Sequence, residues 1–244
     1  MLVGMTGVGG GSLMTPILVL AFGFHPVNAV GTDLLFAAGT KSVGTLIHGA
    51  NRNVSWRVTG RLAAGSLPAS LLMIFMLDRL GDPSAMTAKI ISLTLGVALL
   101  LTAVSLLFRP QIVAFARRFR GPSRPHRTAA LTVLTGAILG VLVSLSSVGA
   151  GAIGMTALLM LYPGLPVSVL VASDIAHAVP LTLVAGIGHW YLGSIYWPVL
   201  TALLIGSIPG IIVGSMAATR VPETALRAVL AVVLFVVGAR LMAV

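Results

Sequence analysis

The sequence predicts an all-α polytopic membrane protein made of two homologous four-segment repeats, inverted relative to one another, each opening on a glycine-broken or re-entrant helix. Three observations predict it. Of the 244 residues 57% are hydrophobic and only 8% are charged, where a soluble surface needs roughly a quarter charged. The apolar residues fall in stretches of about 20, the length at which a helix crosses a ~30 Å hydrocarbon core. The second half of the chain also repeats rare residues of the first at a nearly constant offset.

Taken in order, the first apolar segment, 1–24, is interrupted by the consecutive glycines Gly9, Gly10 and Gly11. Each glycine costs about 1 kcal/mol relative to alanine in a helix, so a helix breaks here and restarts at about Ser12. Spans follow near 27–49, 56–77 and 85–108. Residues 109–127 form a polar loop holding Arg109, Arg117, Arg118, Arg120, Arg124 and Arg127 out of 15 basic residues in the chain. Such a cluster marks a cytoplasmic loop, and its residues 110–119 mix apolar and basic side chains as a short helix on the membrane surface does. A second broken segment, 128–162, restarts near Ala152 and is followed by spans near 166–189, 195–217 and 222–243. The first repeat is thus 1–108 and the second 128–244. By comparison with 128–147, about a dozen residues are expected ahead of the first glycine run.

The repetition rests on rare residues. At a separation of 140, "VGGGS" from Val8 lies over "VGAGA" from Val148, and Pro26 over Pro166. At 141, Thr32-Asp33 lies over Ser173-Asp174, His48 over His189, Trp56 over Trp197, and Gly65-Ser66-Leu67-Pro68 over Gly206-Ser207-Ile208-Pro209. Chance does not place Asp, His and Trp at one offset in a chain with 5 acidic residues, 5 histidines and 3 tryptophans. Duplicated halves with broken helices at corresponding positions are the pattern of secondary transporters. Arg52, Arg57 and Arg61 lie between the second and third segments, whereas the corresponding "HWYLGSIYW", 189–197, has no Lys or Arg. The positive-inside rule then puts these two loops on opposite sides, which favours inverted repeats.

The glycine runs lack the strand, helix and acidic or lysine partner of a nucleotide loop. They fit either close helix packing or a break facing a watery cavity, since free backbone groups have no partner in lipid. In the second case the restarted helices aim their amide ends at the cavity and create an anion site. Asp33, Ala37, Lys41, Thr45 and His48 share one helix face; Asp174, Ala178, Thr182, Ala185 and His189 share the corresponding one, with His177 a turn beyond Asp174. Lys41, without a charged counterpart, suits an anionic substrate or a structural ion pair; Asp33, two turns away, is too far along the axis for direct contact. Asp33 and Asp174 suit capping, proton carriage or cation coordination. His48 and His189 lie near segment ends, where a wetted interfacial role competes with a functional one. Pro68 and Pro209 kink the third helix of each repeat, and Trp56, Trp190, Tyr191, Tyr196 and Trp197 fit an interfacial aromatic belt. Nucleic-acid binding lacks a basic domain. An intramembrane carboxylate-dyad enzyme lacks any accompanying nucleophile or metal cluster, and an anion channel differs from a carrier only in coupling.

The glycine run with "SLMTPIL", then "HPVNAVGTDLL" and "IHGANRNVSW", and the second copy "SVGAGAIG", "PVSVLVASDIAHA" and "GSIYW" resemble the sulfite and organosulfonate exporter family TauE/SafE, grouped with toluene-sulfonate uptake permeases. The resemblance covers the whole chain; the second glycine run departs from it at Ala150 and Ala152. It implies a carrier of small sulfur-containing anions such as sulfite, sulfonates or sulfoacetate in the bacterial inner membrane. Proton or sodium coupling, no cofactor and no resident metal are expected, and a homodimer is compatible with it. Together with the residue reading it gives an expected site of Gly9, Gly10, Gly11, Ser12, Thr32, Asp33, Lys41, His48, Gly149, Gly151, Ser173, Asp174 and His177.

Overall fold

The computed structural model describes residues 11–50, 54–79, 85–118, 125–218 and 223–242, and within these the side chains of 14–42, 54–79, 89–115, 125–207 and 228–242. Among the described residues all regular structure is helical. The elements are α1 (Gly11–Leu20), α2 (Pro26–Ala50), α3 (Trp56–Arg79), α4 (Ala85–Leu107), α5 (Arg109–Arg118), α6 (Pro125–Ser146), α7 (Ala152–Leu161), α8 (Val167–Tyr191), α9 (Trp197–Ala218) and α10 (Glu223–Met242). Among the described residues, Trp56–Arg79, Lys89–Leu107, Pro125–Ser146 and Val167–Tyr191 are long and apolar enough to cross a membrane.

Corresponding helices start in step. Gly11 and Ala152, Pro26 and Val167, and Trp56 and Trp197 begin α1 and α7, α2 and α8, and α3 and α9, each pair 141 residues apart. The two short helices match the expected restarts near Ser12 and Ala152. The stretch 109–127 is more ordered than a polar loop: α5 occupies its first half, as its mixture of apolar and basic residues predicts, and α6 already begins at Pro125, where a proline at a first helical position loses no intrahelical bond.

Close glycine contacts give the relative direction of the helices. A Cβ on Gly65 would lie within 3 Å of Val133 and Ala137 backbone atoms, and one on Gly140 would run into the Ser66 carbonyl oxygen. Side chains there would drive the backbones apart, so α3 and α6 run parallel and in contact because their facing positions are glycine. Gly186 packs on Leu35 and Gly31 on His189 and the Ser194 carbonyl, so α2 runs antiparallel to its counterpart α8. Gly96 meets Met242 and Gly238 meets Leu99 and Leu100, so α4 and α10 are also antiparallel.

The segment 125–162 folds back on itself. Gly154, in the first turn of α7, packs on Leu139 of α6, and Tyr162, just past the end of α7, reaches Thr132 near the start of α6, 2.8 Å between hydroxyl oxygens. At 10 residues α7 is about 15 Å long, roughly half a hydrocarbon thickness. Around this hairpin the buried core gathers α2, α3, α6 and α8 on Leu34, Ile74, Val143, Leu181 and Ala185. A second cluster joins α4 to α10 through Leu95, Leu99, Leu230 and Leu234. Leucines, valines and phenylalanines on the outer faces of α3, α4, α6 and α10 are exposed, the inverse of a soluble surface and what a lipid solvent requires. Trp56, Trp190, Tyr191, Tyr196 and Trp197 are also exposed, in keeping with an interfacial belt, and Trp190 and Trp197 meet edge to face.

Candidate functional site

The polar residues converge where α2, α8 and the 147–151 break meet. The break follows from its sequence: Ser147 at φ 56° and Gly149 at φ 113° take left-handed backbone that ends α6. Intrahelical bonding resumes with the Ile153 N–H donating to the Gly149 carbonyl, 3.1 Å. Gly151 caps α7 without any side-chain hydrogen bond; the Ile153 and Gly154 amides both donate to the Gly149 carbonyl and the Met155 amide to that of Gly151, so this end acts through the positive end of the helix dipole.

Asp33 is fully buried in α2 and accepts a 2.6 Å hydrogen bond at Oδ2 from the Thr15 hydroxyl of α1. The buried hydroxyl of Ser147, on the break, also lies near this carboxylate and favours its charged form. Asp174, buried in α8, lies against the first turn of α7: a Cβ on Gly154 would sit 2.7 Å from its Oδ1. Glycine at 154 therefore leaves room for a carboxylate beside the positive end of a helix, a favourable placement. Its Oδ1 also lacks a hydrogen-bond partner among the described residues. Both aspartates sit inside their own helices rather than at a helix start.

Lys41 is half-buried on α2 and interacts electrostatically with both carboxylates and with the His177 ring. Two turns separate it from Asp33 along the axis, but charges act across that distance in a low-dielectric interior, and Asp174 of the antiparallel α8 acts on it as well. Arg109, at the start of α5, adds a further positive contribution at Asp174.

Thr32 and Ser173 have a different role from the aspartates that follow them. The Tyr196 N–H donates to Thr32 Oγ1 at 3.0 Å, and the Ser55 N–H donates to Ser173 Oγ at 2.9 Å. These are the same bond in the two halves: each hydroxyl receives an amide just ahead of the third helix of the other half. Helix-start amides lack intrahelical acceptors, so each half caps the other.

His177 contacts the Ser66 hydroxyl through Nε2 at 2.8 Å. His189 is not wetted as one reading of its segment-end position expects. It is fully buried, with Nε2 2.9 Å from the Ser144 carbonyl oxygen, because α6 ends beside it. The Ser144 hydroxyl donates to Ser70 Oγ at 2.7 Å, extending a seam of buried polar groups between α3, α6 and α8. Both histidines leave Nδ1 unpartnered among the described residues.

Of the expected site, then, Lys41 interacts electrostatically with Asp33, Asp174 and His177, while Thr32 and Ser173, next to the aspartates, serve as inter-half caps. Gly11 begins α1. Gly9 and Gly10 lie outside the described residues, as do the side chains of Ser12 and His48. Thr15, Ser66, Ser144 and Ser147 are contributors the sequence did not single out; a serine directly before the second glycine run was the available signal for Ser147.

A family model described as "Sulfite exporter TauE/SafE" matches residues 1–241. The chain belongs to the TauE/SafE family. A similar TauE/SafE-type chain, "Probable membrane transporter protein YjnA" of Bacillus subtilis (strain 168), is 35% identical over 241 residues, which cover 98% of this chain and 94% of that protein. No solved structure matches the chain. This TauE/SafE chain is therefore a multi-pass membrane transporter acting on a small substrate, and not an enzyme. The paired aspartates, read as a catalytic dyad in the competing hypothesis, belong to a transport protein.

Proposed function

We propose that this protein is a secondary carrier of small sulfur-containing anions such as sulfite and sulfonates in the bacterial inner membrane, with the anion held where α2 and α8 meet the breaks that precede α1 and α7. The observation that carries the reading is Lys41, a half-buried cation in a spanning helix, flanked by carboxylates from both halves. An ionisable group at that depth is costly unless it faces a partner or a water-filled cavity. The start of α7 after the second glycine break supports the same reading, because the positive end of a helix dipole favours negative charge. The family description supplies the sulfur oxyanion class.

The carrier is organised as two inverted repeats, 1–108 and 128–244, joined by 109–127, with re-entrant first segments. Antiparallel packing of α2 on α8 and of α4 on α10, and the return of Tyr162 to Thr132, support this arrangement. Gly9, Gly10, Gly11, Ser12 and His48 complete the site from the first half by the correspondence of the two sequences.

The test is exchange of labelled sulfite by the purified protein in liposomes loaded with unlabelled sulfite, which needs no ion gradient. Lys41→Ala and Lys41→Gln are expected to reduce exchange at least tenfold with insertion unchanged. Exchange equal to wild type in both variants overturns the site assignment, and absence of exchange of any sulfur oxyanion by the wild type overturns the substrate class.

A further inference from the structure

We infer that Tyr162 is the cytoplasmic gate of the transport path: its hydroxyl ties the end of α7 to α3 and α6, over an apolar plug that closes the way from the cytoplasm to Asp174. This inference rests on the site and the topology proposed above and names the residue that opens the site to one side.

The hydroxyl sits in a hydrogen-bond relay whose direction is fixed. Thr132 donates its only hydroxyl proton to the Thr128 carbonyl at 2.7 Å, so in the 2.8 Å contact with Tyr162 it accepts and Tyr162 donates. The Tyr162 oxygen in turn accepts from the Arg61 guanidinium at 3.2 Å. One side chain, just past the end of α7, thereby joins the early turns of α3 and α6. Because α6 emerges from the arginine-rich 109–127 stretch and α3 runs parallel to it, the positive-inside rule puts the relay at the cytoplasmic end. Beneath the hydroxyl the ring packs on a cluster of Val58 and Leu62 of α3, Met155 and Leu158 of α7 and Leu170 of α8, all buried. From Gly154, which meets Asp174, to Tyr162 the chain covers about 12 Å of helix, and Met155 and Leu158 lie along that length.

The arrangement suits a gate rather than a fixed strut. An anion cannot cross an apolar constriction without shedding water, so the plug is a closed barrier while α7 stays against α3. Arg61 and Tyr162 are only half-buried. Water can therefore replace their hydrogen bonds when the end of α7 moves away, and the modest net worth of such bonds keeps the release reversible. The first half lacks the residues for an equivalent: at the offset of 141, Ala21 stands for Tyr162 and Ala202 for Arg61, and neither methyl group forms hydrogen bonds. There Phe24 meets Tyr196 edge to face at 5.2 Å instead. The polar latch thus belongs to the cytoplasmic side alone.

The chain contains no cysteine, so one introduced thiol reports one position, and Met155→Cys places it in the plug. The experiment is labelling of that thiol by a membrane-impermeant maleimide, in the absence of sulfite, from the inside and the outside of oriented vesicles holding the full-length protein. Labelling is expected to be slow with Tyr162 in place and at least fivefold faster, from the cytoplasmic side alone, once Tyr162→Phe or Thr132→Val is added. A rate unchanged in Tyr162→Phe, or raised as much from the outside as from the inside, as general loosening would do, overturns the gate. Transport supplies the second readout. Joining Thr132→Cys to Tyr162→Cys with a short bifunctional maleimide, then removing the reagent, is expected to lower sulfite exchange at least tenfold relative to the untreated double variant. Exchange unaffected by complete cross-linking overturns the gate and leaves the anion-carrier reading standing. A wild type that exchanges no sulfur oxyanion overturns that reading, while faster cytoplasmic labelling in the two variants still upholds the gate.

Discussion

The glycines of this chain do different work at different positions. Gly65 faces α6 backbone so closely that a methyl group cannot be accommodated, whereas Gly60, on the same helix, has nothing within 4 Å of where a Cβ would be. Gly65→Ala should therefore cost about 1–3 kcal/mol, the usual effect of overpacking, while Gly60→Ala should be neutral or stabilise by up to about 1 kcal/mol through helix propensity. Thermal unfolding of the two variants in one detergent checks the contrast; a Gly65→Ala midpoint at or above that of Gly60→Ala contradicts the packing argument. Thr32 and Ser173 show the same lesson for polar residues. The sequence marks them only as neighbours of the aspartates, and their hydroxyls are spent on the opposite half.

Among helices, the instructive feature is that reciprocal pair of caps. Each ties the second helix of one half to the start of the third helix of the other, Thr32 to Tyr196 and Ser173 to Ser55. Thr32→Val keeps the shape and removes the acceptor, so it should destabilise by about 1 kcal/mol, the usual worth of such a bond, and should speed amide hydrogen exchange around Tyr196 without affecting that around Ser55. Equal changes at both ends would show that the caps do not act separately. Helix positions were legible in advance because they follow from local chemistry: consecutive glycines break helices, and restarts at Gly11 and Ala152 lie at or next to the expected residues. What α7 does after the break was less legible, since its return along α6 depends on Gly154 fitting beside Leu139 and Tyr162 reaching Thr132.

At the scale of the molecule, the antiparallel packing of α2 on α8 and of α4 on α10 makes a topological prediction. Reporters fused after Val244 and inserted in the 109–127 loop should report opposite sides of the membrane, with the arginine-rich loop cytoplasmic. Finding both on one side contradicts inverted repeats. Membrane class and duplication were set by the sequence alone, because lipid as solvent requires ~20-residue apolar segments and because rare residues recurring at one offset report ancestry whatever the fold. The same logic located Asp33, Lys41, Asp174 and His177, since ionisable groups in apolar segments stand out. Only the tertiary structure decided their partners. Thr15, Ser147 and Gly154 meet the two aspartates across helix interfaces, and contacts between helices depend on which faces pack closely. It also separated the two aspartates: equivalent in sequence, one is held by the Thr15 hydroxyl of α1 and the other lies against Gly154 at the positive end of α7, because like residues of the two repeats meet different neighbours once the helices pack.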